Sequence, residues 1–78
     1  MQIETIGKYQ IHLIAEELPA SNLWEPYVSI FKFDDELQDF SCVLEKRRVS
    51  EQGFSEYAEA IEAARRAGNA LLETGQIH

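Results

Sequence analysis

Three observations predict an α+β fold: an antiparallel sheet of three or four strands with one C-terminal helix packed across one face. The first half of the chain and beyond is written in short β-type patterns broken by turn residues. The last third carries one amphipathic helical pattern, over residues 55–73. The 78 residues leave room for one domain and no second core.

The strands follow in order. Residues 2–6 pair with residues 9–15 through Gly7-Lys8, a tight hairpin turn with glycine at its first central position. Tyr9, Ile11 and Leu13 alternate with Gln10 and His12, the period of a half-buried strand. Pro19, Ser21 and Asn22 form the next turn. Residues 25–33 hold Tyr27, Val28, Ile30, Phe31 and Phe33 and are the strongest strand, with Pro26 expected at its start or on an edge because proline has no N–H. The acidic run Asp34-Asp35-Glu36-Leu37-Gln38-Asp39 reads as a solvated hairpin loop. Residues 40–49 return as a strand with Phe40, Cys42 and Leu44 on one side.

Ser55 is the expected N-cap of the helix, with Glu56 and Glu59 complementing the positive end of its dipole. Phe54, Ala58, Ile61, Ala64 or Arg65, Gly68, Leu71 and Leu72 recur at three- and four-residue steps, so one apolar stripe faces the sheet. Glu62 and Arg66 are spaced for an i,i+4 pair on the solvent side. Continuation past Gly68 to Glu73 is expected, because the residues after it are good helix formers and Gly75 offers a later stop. The small residues Ala60, Ala63, Ala64, Ala67 and Gly68 allow the helix backbone close to the sheet.

Composition bounds the function. A content of 45% hydrophobic and 27% charged residues is that of a globular chain, and the formal charge of −7 opposes binding to phosphate polyanions and anionic membranes. One cysteine, Cys42, allows no intramolecular disulfide. Met1 to Tyr9 lacks the pattern of a signal peptide, and no stretch approaches a membrane span, so a cytoplasmic protein is expected.

Each candidate chemical site has a stronger structural reading. His12 has no companion ligands nearby and His78 stands last, so no metal is expected at either. The carboxylates of Asp34, Asp35, Glu36 and Asp39 lack the spacing and the glycine of a calcium loop. Cys42 alternates with Phe40 and Leu44 and reads as a small buried hydrophobe. No phosphate loop or nucleophile elbow is present, so no cofactor, no catalytic residue and no enzyme activity are expected. Lys46-Arg47-Arg48 is the one basic cluster, but alternation sends Arg47 to the opposite side from its neighbours.

The strongest strand raises the functional question. Trp24, Pro26, Val28 and Ile30 point one way, while Tyr27, Phe31 and Phe33 point the other, and one helix covers one face. Each large apolar side chain is worth about 1.5–3 kcal/mol when buried. Tyr27, Phe31 and Phe33 are therefore read as the partner-binding residues of a non-catalytic interaction module, which either self-associates as a homodimer or docks a heterologous protein. The rival reading within one monomer has the N-terminal hairpin fold over these rings. The alternative function is a small regulator of the antitoxin-like or nucleic-acid-binding type.

The order Gly7-Lys8-Tyr9-Gln10-Ile11, then Trp24-Glu25-Pro26 opening an aromatic strand, then a helix with Ala60-Ile61 and Ala67-Gly68, resembles small uncharacterised bacterial proteins of the β-hairpin plus C-terminal helix type. The resemblance covers most of the chain and implies the fold, with no activity to carry over. A looser similarity, strands preceding an Ala-rich helix, is to HicB-like antitoxin domains and implies a regulator with a toxin partner.

Overall fold

A computed structural model describes residues 1–75. Its four strands, β1 (Gln2–Ile6), β2 (Tyr9–Leu18), β3 (Leu23–Asp34) and β4 (Asp39–Arg48), form one antiparallel sheet in sequence order, followed by the helix α1 (Tyr57–Glu73). The α+β architecture is that expected from the patterning. Strands β2 and β3 begin or end beyond their expected bounds, because their hydrogen-bonded register continues to the pair Leu18 and Leu23.

Turn chemistry sets the connections. Gly7 adopts a φ of +57° in the two-residue link between Ile6 and Tyr9, the left-handed geometry that glycine enters without a Cβ clash. Asn22 and Gln38 take positive φ at the ends of the two longer turns. In the acidic loop the Asp34 carboxylate accepts the backbone N–H groups of Glu36 and Leu37, so this residue closes its own turn.

Register divides the side chains between two faces. Ile11 lies opposite Ile30 and Leu13 opposite Val28, and all four are buried beneath α1 with Ile61 and Ala64. Tyr9, Ala15, Val43, Leu44, Val49, Leu71 and Leu72 pack around that core. The helix meets the sheet on its small residues: Ala60, Ala64 and Gly68 are buried, and a Cβ built on Gly68 would stand 2.9 Å from Ile11 Cγ2. Leu71 is half-buried, and Ala58, expected on the apolar stripe, is exposed in the first turn.

Four local expectations are corrected. First, α1 starts at Tyr57 with Glu56 as N-cap and no side-chain cap bond, so Ser55 does not cap it. The reason is that the chain just before it is still extended: Phe54 and Trp24 exchange backbone hydrogen bonds of 2.7 and 2.9 Å, continuing the sheet beyond the end of β4. Second, Pro26 sits well inside β3. Its carbonyl accepts from Val49 N–H, so the missing donor also points past the last residue of β4, where no ladder bond is lost.

Third, Phe40, Cys42 and Leu44 do not share a side. Phe40 lies opposite Phe33 and Cys42 opposite Phe31, but the pairing then jumps to Leu44 opposite Ile30. That bulge turns both Val43 and Leu44 onto the core. Cys42 is consequently exposed on an outer strand, not buried. Fourth, Glu62 pairs with Arg65 rather than Arg66, because Arg65 is also drawn to Glu4 on β1. The helix continues through Gly68 to Glu73 and ends as Thr74 N–H bonds back to the Ala70 carbonyl. His78 lies outside the described residues.

The molecule is long, with extents of 45 × 22 × 16 Å. The 17 residues of α1 reach about 25 Å, while the 12 of β3 reach about 40 Å, so the helix is too short to cover the strand from end to end.

Candidate interaction surface

The side of the sheet away from α1 carries the alternate residues of every strand. The N-terminal hairpin does not fold over it: β1 lies flat at the sheet edge, paired with β2 from Gln2–Leu13 to Ile6–Tyr9. Among the described residues no element covers this face.

Tyr27, Phe31 and Phe33 all lie on it and are all half-buried. The shielding they have comes from neighbours on the same face. Phe31 leans on the His12 ring at 4.6 Å between centroids, Phe33 meets Phe40 edge to face at 5.3 Å, and Lys46 Nζ stands 4.8 Å from the centre of the Tyr27 ring. Ile14 lies opposite Tyr27, and Ile3 opposite His12. Ile3 is 50% exposed and Phe40 37% exposed, so apolar surface continues across all four strands.

At the other end of the face sits a polar cluster. Glu25 is 7% exposed, accepts a 3.2 Å hydrogen bond from the Tyr27 hydroxyl and pairs with Arg48. Burial, and next the hydrogen bond to Glu25, push the Tyr27 hydroxyl pKa up from its ordinary value. Arg48 also donates to the carbonyls of Ser50 and Glu51, fixing the start of the crossing to α1. Lys46 pairs with Glu16, and Arg47, opposite Val28, faces the helix side. The basic triplet is thus divided between the two faces, as alternation predicts.

Sequence reasoning placed the three rings on one face but missed Glu25, Ile3, Ile14 and Phe40 as their neighbours there. The signal for Glu25 was its two-residue spacing from Tyr27; its partner Arg48 depends on a register that two bulges in β4 displace. His12 has the Gln10 amide oxygen 3.3 Å from Nε2 besides its contact with Phe31. Among the described residues no group of three His, Cys, Asp or Glu side chains is placed to hold a metal ion, and no helix is long and apolar enough to cross a membrane. Comparison with protein-family models, with curated proteins and with solved structures gives no match to this chain.

Proposed function

We propose that this chain is a non-catalytic protein-interaction module whose contact surface is the sheet face bearing Tyr27, Phe31 and Phe33. One observation carries the reading: half-buried rings from an inner strand, joined by Ile3, Ile14 and Phe40, lie on a face that no described element covers. In a domain whose net stability is about 5 kcal/mol, leaving several such side chains partly wet forfeits a large share of the available hydrophobic stabilisation. A surface used for binding recovers that share when its partner docks.

The regulator reading needs Lys46, Arg47 and Arg48 to form one basic surface with Arg65 or Arg66. Lys46, Arg48 and Arg65 are each engaged by a carboxylate, and Arg47 lies on the other side of the sheet from its neighbours. The observations therefore favour a protein partner over nucleic acid.

The test compares association with folding in Phe31→Lys. A charge at this position is expected to lower self-association or partner binding more than it lowers the urea midpoint, since the side chain already has solvent access. A variant that loses folding stability while its associations stay unchanged would make the rings part of the monomer's own core and overturn the reading.

A further inference from the structure

We propose that the occupant of the uncovered face is a second copy of this chain, stacked sheet against sheet. The proposal rests on the contact-surface reading above and names its partner.

Charge is the first argument. Four ionic groups of the face close on one another, Lys46 with Glu16 and Arg48 with Glu25, and exposed Glu45 beside Lys46 adds one carboxylate. A partner of opposite charge is recognised through a large excess of one sign, and this face, with Glu16, Glu25 and Glu45 against Lys46 and Arg48, is close to balance. Most of the acidic excess of the −7 chain lies elsewhere, including the β3–β4 loop and the solvent side of α1, where Glu59, Glu62 and Glu73 are exposed. Stacking through the sheet keeps both acidic regions on the outside.

Area is the second argument. A stable dimer buries about 800 Å² on each partner. The two larger extents of the whole molecule, 45 and 22 Å, bound the outline of any one side and leave room for a contact of that size, and the apolar residues of this face come from all four strands. Antiparallel sheets stack face to face at about 10 Å with their inner side chains interleaved. Such stacking would convert a sheet covered on one side into a four-layer assembly, helix outermost on each side. Phe31 stands on an inner strand with His12 on one side and Cys42 on the other, the central position where binding energy concentrates.

Sedimentation equilibrium of the full chain over a range of concentrations and salt tests this. Wild type is expected to shift reversibly between one and two chain masses, and Phe31→Lys to weaken association by about thirtyfold or more. Salt gives an independent signature. Two chains of −7 repel at long range, and the screening length falls from about 30 Å at 0.01 M salt to about 8 Å at 0.15 M, so association should tighten as salt rises. Phe31→Ser, which introduces no charge, should show the same loss of association if Phe31→Lys fails to fold.

A wild-type chain that stays at one chain mass up to about 1 mM, with Phe31→Lys folded and as stable as wild type, would overturn the second copy as occupant and leave the contact-surface reading standing. A monomer in which both Phe31 variants unfold would overturn both. A dimer that neither variant weakens would place the self-contact elsewhere and overturn the proposal.

Discussion

Gly68 sets how closely the helix approaches the sheet. It is buried in the middle of the contact, where an added Cβ would stand 2.9 Å from Ile11 Cγ2 and 3.3 Å from Val28 Cγ2, both on fully buried, β-branched side chains with little room to yield. Gly68→Ala gains about 1 kcal/mol of helix propensity, but overpacking a filled core costs about 1–3 kcal/mol. The expected outcome is a net loss of stability in urea denaturation. A stabilised variant would mean that the helix rides higher over Ile11. Glu4 supplies a second residue-scale test. The Arg65 guanidinium, chiefly through its hydrogen bond, holds the Glu4 carboxyl below its ordinary value of 4.5. A carboxyl depressed in the folded state contributes stability that is present above its unfolded value and is lost as pH falls through the lowered folded one. Wild type should therefore exceed Glu4→Gln in melting temperature near neutral pH, and the difference should disappear in acid below the folded value. A difference independent of pH would assign the effect to packing rather than to charge.

At the scale of elements, α1 is held to the sheet by one narrow stripe. Ile61 is its largest buried side chain, 4% exposed among Ile11, Leu13, Val28 and Ile30. Ile61→Ala should cost about 2–4 kcal/mol, enough to unfold much of so small a domain, whereas Glu59→Ala on the solvent side should shift the midpoint little. An unchanged melting temperature in Ile61→Ala would mean that the helix presents another face. The segment from β4 into α1 depends on Arg48, which joins buried Glu25 to the carbonyls of Ser50 and Glu51. Arg48→Ala leaves Glu25 without its cation and is expected to cost about 1–3 kcal/mol, with faster amide exchange at Phe54 and Trp24, whose mutual bridge the same segment positions. Exchange unchanged at those two amides would separate the bridge from the ion pair. The amphipathic period of α1 and the alternation of β2 were legible because both are read locally. The helix start was not, because Phe54 is held extended by Trp24, thirty positions away in sequence, and no local cap signal encodes that pairing.

For the whole molecule, shape and charge combine. The chain is an elongated sheet with a helix on one side and an aromatic face on the other, and seven more acidic than basic residues oppose any phosphate backbone. Binding to duplex or single-stranded nucleic acid at physiological salt is expected to be weaker than micromolar, because few cations are free to release counterions. Tight, salt-sensitive binding in a filter or anisotropy assay would contradict this and revive the basic triplet as a site. Tyr27, Phe31 and Phe33 were legible as one face because alternation has a period of two and β3 keeps a regular register with β2 from Leu23 to Lys32. The exposure of Cys42 was not, since it depends on which strand lies outermost and on the bulge that turns Val43 and Leu44 onto the core.

Local chemistry in the sequence therefore determined the elements, their order, the turn at Gly7 and the two-sided character of β3, because periodicity and backbone preference act over a few residues. Tertiary structure decided what those features mean. It laid the N-terminal hairpin flat beside β3 instead of over it, joined Glu25 to Arg48 across a bulged strand, and seated Gly68 on Ile11. Each of these is a contact between residues distant in the chain, set by register and by the volume available between helix and sheet, and no short stretch of sequence carries that information.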